Sequence, residues 1–250
     1  MNTEKSIDIN NKTAVITGAN RGIGLSIAQT FLQAGAKKVY LAVRDLNSVK
    51  QLENQYGDRV QAIQVDVADK SSIQKLAAQT QDAEIVVNNA GVLKAADAYD
   101  PNAEEALLYE FNINTLGLLR MAQAFEPILA EKTASAFVQL NSVASIKNFA
   151  AFSTYSASKA AAYSLTQGLK ASWADHGIQV LSVHPGPIAT DMAKEAGFDQ
   201  TDPVDVVAEG IVSALATGQF HLFPDSMAKQ IETAYHDYAI NIIEAPTETE

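Results

Sequence analysis

Residues 13–24 read TAVITGANRGIG, and this stretch decides the fold. It begins with an apolar, β-branched run that is typical of a buried strand. Three glycines follow, Gly18, Gly22 and Gly24, and a helix is predicted over about 23–34. A strand, a glycine-rich turn and a helix in this order can hold an anion, because the helix N-terminus offers free N–H groups and a partial positive charge. The stretch therefore predicts an α/β fold with a phosphate-binding turn.

The rest of the chain repeats the alternation of short apolar runs and longer helical stretches. Further strands are predicted at 38–43, 60–65, 85–88, 136–140, 179–183 and, as the last candidate, 220–225. Long helices are predicted at about 102–131 and 154–175. Apolar strands separated by helices indicate a parallel sheet that is covered on both faces. We therefore predict a single-domain, doubly wound α/β fold over residues 1–250, with a parallel sheet of about seven strands and helices on both faces.

Composition excludes several classes of protein. The chain has 250 residues, of which 47% are hydrophobic, so it can bury a full core. Lys and Arg total 18 and Asp and Glu total 29, for a net charge of -11, which argues against nucleic acid as a partner. Cysteine is absent and the four histidines lack zinc-ligand spacing, so we expect no disulfide, thiol nucleophile or metal site.

The chain ends show no targeting pattern. Residues 1–12, MNTEKSIDINNK, are polar, and no run of about 18 apolar residues occurs, so we expect neither a secretion signal nor a membrane span. A cytoplasmic protein is the resulting prediction. Residues 1–11 and the acidic tail EAPTETE (244–250) are expected to be frayed.

The glycine loop is predicted to hold a dinucleotide. Gly18 can adopt backbone angles that a side chain forbids, Gly22 lets the backbone approach a pyrophosphate, and Gly24 lets the helix pack close to the strand. The strand–loop–helix context carries this interpretation, because three glycines alone often mark only a tight turn. The expected contacts of the loop are Gly18, Asn20, Arg21, Gly22, Ile23 and Gly24.

The residues after the second and third strands indicate which nucleotide binds. An NAD site usually carries an acidic residue after the second strand, whereas this strand ends in valine and is followed by Arg44. Arg44, together with Arg21 from the glycine loop, can bind a 2′-phosphate, which favours NADP(H). Two alternatives stay open: both arginines are ordinary surface residues, or Asp45 pairs with Arg44. Asp66 and Val67 are expected beside the adenine, and the alternative for Asp66 is a helix N-cap.

A tyrosine and a lysine one helical turn apart form the candidate catalytic pair. Tyr155 and Lys159 lie at positions i and i+4 of a predicted helix and therefore face the same side. A phenol has a pKa of about 10, and a nearby ammonium group lowers that pKa, so Tyr155 can exchange a proton with a carbonyl or alcohol oxygen. Ser142 follows the fifth strand at the same sheet edge, where its hydroxyl can hold the substrate oxygen. Taken alone, this spacing is a weak pattern, because most such pairs are surface residues.

Together these motifs resemble those of the short-chain dehydrogenase/reductase family. The resemblance covers about residues 10–192. It includes, in the family's order, TGANRGIG (17–24), the NNAG segment (88–91), Asn114, Ser142, Tyr155, Lys159, Pro185, Gly186 and Thr190. The resemblance implies a Rossmann fold and a nicotinamide-dependent oxidoreductase.

The resemblance also implies a role for each residue. Tyr155 is similar to the family's general acid/base, Lys159 to the residue that binds the nicotinamide ribose, and Ser142 to the residue that orients the substrate. Asn114 resembles the asparagine that kinks a helix and holds a water of the proton relay. The remaining cofactor contacts that the resemblance implies are Asn89, Ala90, Gly91, Pro185, Gly186, Ile188 and Thr190.

The substrate side of the site is predicted to be apolar. Leu93, Phe149, Phe152 and Met192 lie near the cofactor motifs, and residues 187–203 are expected to form a lid. The alternative is that some of these side chains belong to the core. We therefore expect a hydrophobic ketone, aldehyde or secondary alcohol as the small-molecule substrate.

The C-terminal part departs from the common family pattern. A helical extension is expected over about 226–243, with an apolar stripe that covers either the chain's own core or a partner. We expect a homo-oligomer, either a tetramer or a dimer through the helices at 102–131 and 154–175.

The expected activity is NADPH-dependent reduction of ketones or aldehydes to alcohols, reversible as alcohol dehydrogenation, with Tyr155 as the proton donor. Two other functions stay open. One is an epimerase or dehydratase that retains its nicotinamide, and the other is an NADP-sensing binding protein without turnover. The set of Asn114, Ser142, Tyr155 and Lys159 argues against the sensor, because a sensor needs no proton relay.

Overall fold

A computed structural model describes residues 6–245 of the protein. Its strands are β1 (Thr13–Thr17), β2 (Lys38–Val43), β3 (Val60–Gln64), β4 (Ile85–Asn88), β5 (Ser135–Leu140), β6 (Ile178–Val183) and β7 (His221–Leu222). They form one parallel sheet in the order β3-β2-β1-β4-β5-β6-β7. Strands β2 and β3 are added on one side of β1, and β4 to β7 are added on the other side. This change of side between β1 and β4 opens a crevice at the carboxyl ends of the strands.

Helices cover both faces of this sheet. They are α1 (Gly22–Gln33), α2 (Lys50–Tyr56), α3 (Lys70–Gln79), α4 (Ala103–Glu110), α5 (Leu116–Ala130), α6 (Ser153–Ser172), α7 (Asp191–Glu195), α8 (Asp205–Thr217) and α9 (Ser226–Tyr238). Helices α1, α2 and α8 pack on one face, and α3, α5 and α6 pack on the other. Within the described chain, no helix has both the length and the apolar character needed to cross a bilayer.

Successive side chains of a strand point to opposite faces of the sheet, so the strands contribute to two cores. Ala14 and Ile16 of β1 join a core with Phe31 of α1, whereas Val15 between them joins a core with Phe125 of α5. All of these side chains are fully buried. Because the central strands are buried on both faces, their sequences are continuously apolar rather than alternating.

The predicted doubly wound sheet is confirmed, and its first six strands lie within one residue of their predicted bounds. The last predicted strand, 220–225, contains only the two residues of β7. Its neighbour Phe223 instead packs with Ala228 in a small cluster beside α9, and Pro224 has no N–H to extend the sheet. Helices α2, α3, α7 and α8 have no counterpart in the sequence-based prediction.

Two predicted helices have different shapes in the structure. The helix expected over 102–131 is divided into α4 and α5 by a π-helical turn, Phe111–Thr115. The extension expected over 226–243 contains α9 and then a second π-helical turn, Ala239–Ile243. Its apolar stripe is split: Tyr235 packs against the chain's own cluster, whereas Ile242 is 63% exposed.

The expectation of a frayed N-terminal segment is wrong for residues 6–11. Ile7 and Ile9 are each only 1% exposed. The Ile7 N–H also donates to the carbonyl of Leu215 in α8 at 2.8 Å. Two isoleucines at alternate positions of a polar segment were the available signal, since this is the spacing of a half-buried extended chain.

The acidic tail begins with a residue that is held in place. Glu244 lies 3.2 Å from Lys170 Nζ and 2.7 Å from His221 Nδ1. The remaining expectations of frayed ends concern residues 1–5 and 246–250, which lie outside the described residues.

The burial of Ile7 generates a first test. Ile7→Ala is expected to lower the free energy of unfolding by about 2 to 5 kcal/mol, because it leaves a cavity in the core beside α8. The control is Ser6→Ala at the exposed neighbouring position, which should change that free energy by no more than about 0.5 kcal/mol. Urea unfolding followed by circular dichroism measures both, and equal midpoints for the two variants would contradict this packing.

Candidate active site

The glycine loop lies between the carboxyl end of β1 and the start of α1. Gly18 and Gly22 have φ angles of +66° and +54°, which side chains rarely allow. A Cβ atom at position 24 would collide with the Gly18 carbonyl oxygen, so α1 can pack this closely only with glycine there. The backbone angles of Gly18 and the close packing at Gly24 therefore agree with the roles predicted for these two glycines. The first N–H groups of α1 have no acceptor inside the helix.

Asn89 fastens the glycine loop to the neighbouring strand. Its side-chain amide donates to the Thr17 carbonyl at 2.8 Å and to the Gly18 carbonyl at 3.3 Å. Its backbone N–H donates to the Thr17 hydroxyl at 2.9 Å. Asn89 was predicted as a cofactor contact, and its side chain holds the loop in the shape that a cofactor would need.

Arg44 and Arg21 both line the cleft. In the described part of the chain, the Arg44 guanidinium forms no ion pair. The neighbouring Asp45 instead accepts from the backbone N–H and the side-chain amide of Asn47, at 2.9 and 3.2 Å, so the alternative in which it pairs with Arg44 is wrong. Arg21 lies 3.1 Å from Asp191, but these side chains are 63% and 64% exposed. Such an exposed pair holds Arg21 only weakly.

Asp66 and Val67 line the cleft after β3. Asp66 accepts the backbone N–H of Ala68 at 2.9 Å and so closes a local turn. Helix α3 is capped by Asp69, whose carboxylate accepts the Ser71 N–H at 2.8 Å. The N-cap alternative for Asp66 is therefore wrong.

Tyr155 and Lys159 lie one turn apart on α6 and both line the cleft. The Lys159 ammonium is 5.8 Å from the centre of the Tyr155 ring and donates to the Leu140 carbonyl at 2.8 Å. Ser142, which follows β5, has its hydroxyl near the Tyr155 phenol and 3.3 Å from the Pro185 carbonyl. Three side chains able to exchange or hold protons therefore meet at the carboxyl end of β5.

Burial shifts the pKa values of Tyr155 and Lys159 in the directions that favour their neutral forms. Desolvation raises the pKa of Tyr155 to about 12, although the Ser142 hydroxyl lowers it in part. Desolvation also lowers the pKa of Lys159 to about 8. The expectation that Lys159 lowers the pKa of Tyr155 is not met in the chain by itself, because desolvation outweighs the effect of nearby groups. At neutral pH the phenol is therefore protonated, which is the form that can donate a proton.

Asn114 lies in the π-helical turn between α4 and α5 and is 2% exposed. Its side chain accepts from the Val92 N–H and donates to the Val92 carbonyl, both at 2.9 Å. It also donates to the Ser158 hydroxyl at 2.9 Å. Val92 lines the cleft and Asn114 does not, so Asn114 bridges a wall of the cleft to the helix that carries Lys159.

The loop after β6 carries four predicted cofactor contacts, all of which line the cleft: Pro185, Gly186, Ile188 and Thr190. The Gly186 N–H donates to Asp225 at 2.7 Å. A Cβ atom at Gly22 would come within 3.0 Å of the Thr190 methyl group, so this loop lies directly against the glycine loop. The two loops form facing walls of one cleft.

The end of the cleft that is predicted to hold the substrate is apolar, and the four predicted side chains line it: Leu93, Phe149, Phe152 and Met192. Phe198, from the predicted lid segment 187–203, stacks on Phe152 with ring centres 5.6 Å apart. Met227, at the start of α9, also lines the cleft and was missed. The predicted extension was the available signal, but the sequence did not indicate which way it packs.

One cleft of about 480 Å³ brings together every predicted site residue except Asn114. Sequence reasoning missed several of its lining residues, because most of them are apolar positions at strand ends that carry no motif: Ala42, Val43, Val65, Leu140, Val143 and Ala144. Among residues 6–245, no group of three or more His, Asp or Glu side chains is placed to bind a metal ion.

Comparisons with known proteins identify the family. The short chain dehydrogenase family matches residues 12–201. An uncharacterised oxidoreductase of Staphylococcus saprophyticus is 32% identical over 222 residues, which cover 84% of this chain and 93% of that protein. A short chain dehydrogenase from Burkholderia cenocepacia, solved in complex with NADP, is 28% identical, with a TM-score of 0.86 over 96% of this chain and 100% of that chain.

A more distant structure shares the fold. It is a short chain dehydrogenase/reductase from Burkholderia phymatum in complex with NAD, 22% identical, with a TM-score of 0.83 over 98% of this chain and 99% of that chain. The family match itself contains the glycine loop, the residues on α6 and the loop after β6. The chain therefore belongs to the short-chain dehydrogenase/reductase family of oxidoreductases.

Proposed function

We propose that the protein reduces apolar ketones or aldehydes to alcohols with NADPH, and oxidises such alcohols in the reverse direction. One observation carries the proposal: Ser142, Tyr155 and Lys159 line the same cleft as the glycine loop and the apolar side chains. A reducible carbonyl held there would have a proton donor, an oxygen-binding hydroxyl and a dinucleotide site within one cavity.

The residues of the cleft fit a nicotinamide dinucleotide. The positions of Gly18, Gly22 and Gly24 leave space that side chains would fill, and the N-terminus of α1 favours a pyrophosphate beside it. Lys159 would hold the ribose next to the nicotinamide, and the loop from Pro185 to Thr190 would hold the ring end. When bound, the reduced cofactor supplies the hydride that the carbonyl carbon accepts.

The choice of NADP(H) over NAD(H) rests on two guanidinium groups. The Arg44 guanidinium forms no ion pair among the described residues, and Arg21 has only an exposed one. A 2′-phosphate between them would gain two charge-assisted contacts, which NAD cannot offer. The Burkholderia cenocepacia relative, solved in complex with NADP, supports the same choice.

The proton step belongs to Tyr155. Its phenol is protonated at neutral pH, because burial raises its pKa to about 12, so it would donate to the carbonyl oxygen as negative charge develops there. The Ser142 hydroxyl would hold that oxygen in reach. After the transfer, the Lys159 ammonium nearby would stabilise the phenolate.

We also propose that the protein forms a homo-oligomer through its long helices. Large apolar side chains are exposed on α4 and the turn after it: Leu108 is 64% exposed, Tyr109 41% and Phe111 37%. Burial of such a patch against a second copy would remove apolar surface from water.

Removal of the phenol hydroxyl tests the proton step. Tyr155→Phe is expected to lower kcat for ketone reduction by a factor of at least about 100, because the general acid is lost. NADPH binding, measured by fluorescence, should be retained. Tyr163→Phe is the control, since it removes a buried phenol from the same helix outside the cleft. Equal turnover by wild type and Tyr155→Phe would refute the mechanism.

The cofactor assignment is tested by reversing one charge. Arg44→Asp is expected to raise the dissociation constant for NADPH by roughly 10- to 100-fold and to leave that for NADH nearly unchanged, since only NADPH carries the 2′-phosphate. Lys50→Asp makes the same change of charge at an exposed position outside the cleft. Similar losses for the two cofactors in Arg44→Asp would remove the NADP assignment.

The apolar end of the cleft predicts a change in substrate size. Met227→Ala should widen the cavity, so the kcat/KM ratio for a bulky aromatic ketone over a short aliphatic ketone should rise by roughly 10-fold. Lys229→Ala, on the exposed side of α9, should leave that ratio unchanged. A ratio that stays constant in Met227→Ala would show that this side chain does not contact substrate.

A further inference from the structure

Glu110 is a buried carboxyl group that the proposed reaction does not use. It is the last residue of α4 and is 0% exposed. Its Oε1 accepts the backbone N–H of Lys94 at 2.6 Å. Its Oε2 and the hydroxyl of Thr154 have no hydrogen bond within residues 6–245. A carboxyl group taken out of water in this way costs free energy, so a purely structural position would favour an apolar side chain.

The surroundings of Glu110 connect the substrate wall to the catalytic helix. Lys94 follows the cleft-lining Leu93 in the loop after β4. Thr154 directly precedes Tyr155 on α6, and its N–H donates to the Ala96 carbonyl of the same loop at 3.4 Å. Glu110 therefore lies between this loop and the first turn of α6.

The electrostatic effects agree with this placement. Burial raises the pKa of Glu110, whereas the hydrogen bond from the Lys94 N–H and the charge of the Lys94 ammonium lower it. Glu110 in turn raises the pKa of Tyr155, in addition to the larger effect of burial. Glu110 is thus linked electrostatically to Lys94 on one side and to Tyr155 on the other.

Asn114 connects the loop after β4 to α6 by hydrogen bonds at both ends. It lies four residues after Glu110 and binds the Val92 backbone and the Ser158 hydroxyl, each at 2.9 Å. Ser158 directly precedes Lys159, just as Thr154, which lies beside Glu110, directly precedes Tyr155. Asn114 therefore joins the loop after β4 to the residue before Lys159, whereas Glu110 binds the same loop and lies beside the residue before Tyr155.

We propose that Glu110 is a positioning residue, which fixes the Tyr155 phenol against the substrate wall by holding Lys94 beside the start of α6. The inference rests on the proposed function, because the phenol is placed for a bound carbonyl. When ionised, Glu110 also disfavours the phenolate form of Tyr155 through like-charge repulsion.

Two substitutions separate the charge of Glu110 from its hydrogen bond. Glu110→Gln keeps an acceptor for the Lys94 N–H and removes the charge. It should move the high-pH limb of ketone reduction, where Tyr155 loses its proton, to lower pH by about half a unit or more. The KM for the ketone should stay within about twofold, since the loop remains bound.

Glu110→Leu removes both the charge and the acceptor. The KM for the ketone should rise by about tenfold, because the loop is no longer bound to the acid, whereas the dissociation constant for NADPH should stay within about twofold. Hydrogen exchange of the Lys94 amide should be slow in wild type and Glu110→Gln and fast in Glu110→Leu. Glu105→Gln, an exposed position on the same helix, is the control and should change none of these quantities.

These measurements can overturn the role of Glu110 without overturning the proposed function, and the reverse also holds. An unshifted pH limb in Glu110→Gln overturns it, and so does an unchanged KM in Glu110→Leu. If the wild-type protein reduces no carbonyl, the proposed function fails. Hydrogen exchange of the Lys94 amide still tests whether Glu110 holds the loop after β4. A Lys94 amide that exchanges freely in the wild type, or equally in all variants, overturns the inference even if Glu110→Leu does not fold.

Discussion

The contact between Gly24 and the Gly18 carbonyl is the constraint on which the cleft depends. A Cβ atom at position 24 would collide with that oxygen and with the Asn89 amide, so any other residue would push α1 away from β1. Helix α1 also carries Phe31 into the core that it shares with α8. The shape of the glycine loop and the packing of one face of the sheet are therefore set together. A change that opened the loop would cost core packing as well as cofactor contacts.

Helix α6 has two roles if the proposed reaction takes place: it packs against the sheet and carries the proposed catalytic pair. Its side toward the sheet packs Ala162 into the second core, while Tyr155 and Lys159 face the cleft. Asn114 binds the loop after β4 to this helix, and Glu110 binds the same loop beside the start of the helix. Polar groups in an apolar interior require defined partners, so these contacts restrict α6 to one position more strictly than apolar packing alone would.

The central sheet could be predicted because its strands are apolar on both faces and are separated by glycine turns, and both signals are local in sequence. The same reasoning missed Met227 and the anchoring of Ile7, which depend on how distant segments pack. The π-helical turn at Asn114 was expected only as a kink. The raised pKa of Tyr155 could not be predicted, because burial is a property of the folded cleft.

Burial of the catalytic pair has a cost that the surrounding groups must offset. Each pKa unit corresponds to about 1.4 kcal/mol, so a phenol whose pKa is raised to about 12 donates its proton less readily than one in water. The Ser142 hydroxyl reduces this cost, and a charged Glu110 increases it. An apolar substrate that fills the cleft removes more water and strengthens every one of these interactions. Desolvation of the cleft therefore favours an apolar substrate and also makes the pKa of Tyr155 depend on a few fixed groups. Of these groups, Ser142 lines the cleft and Glu110 does not.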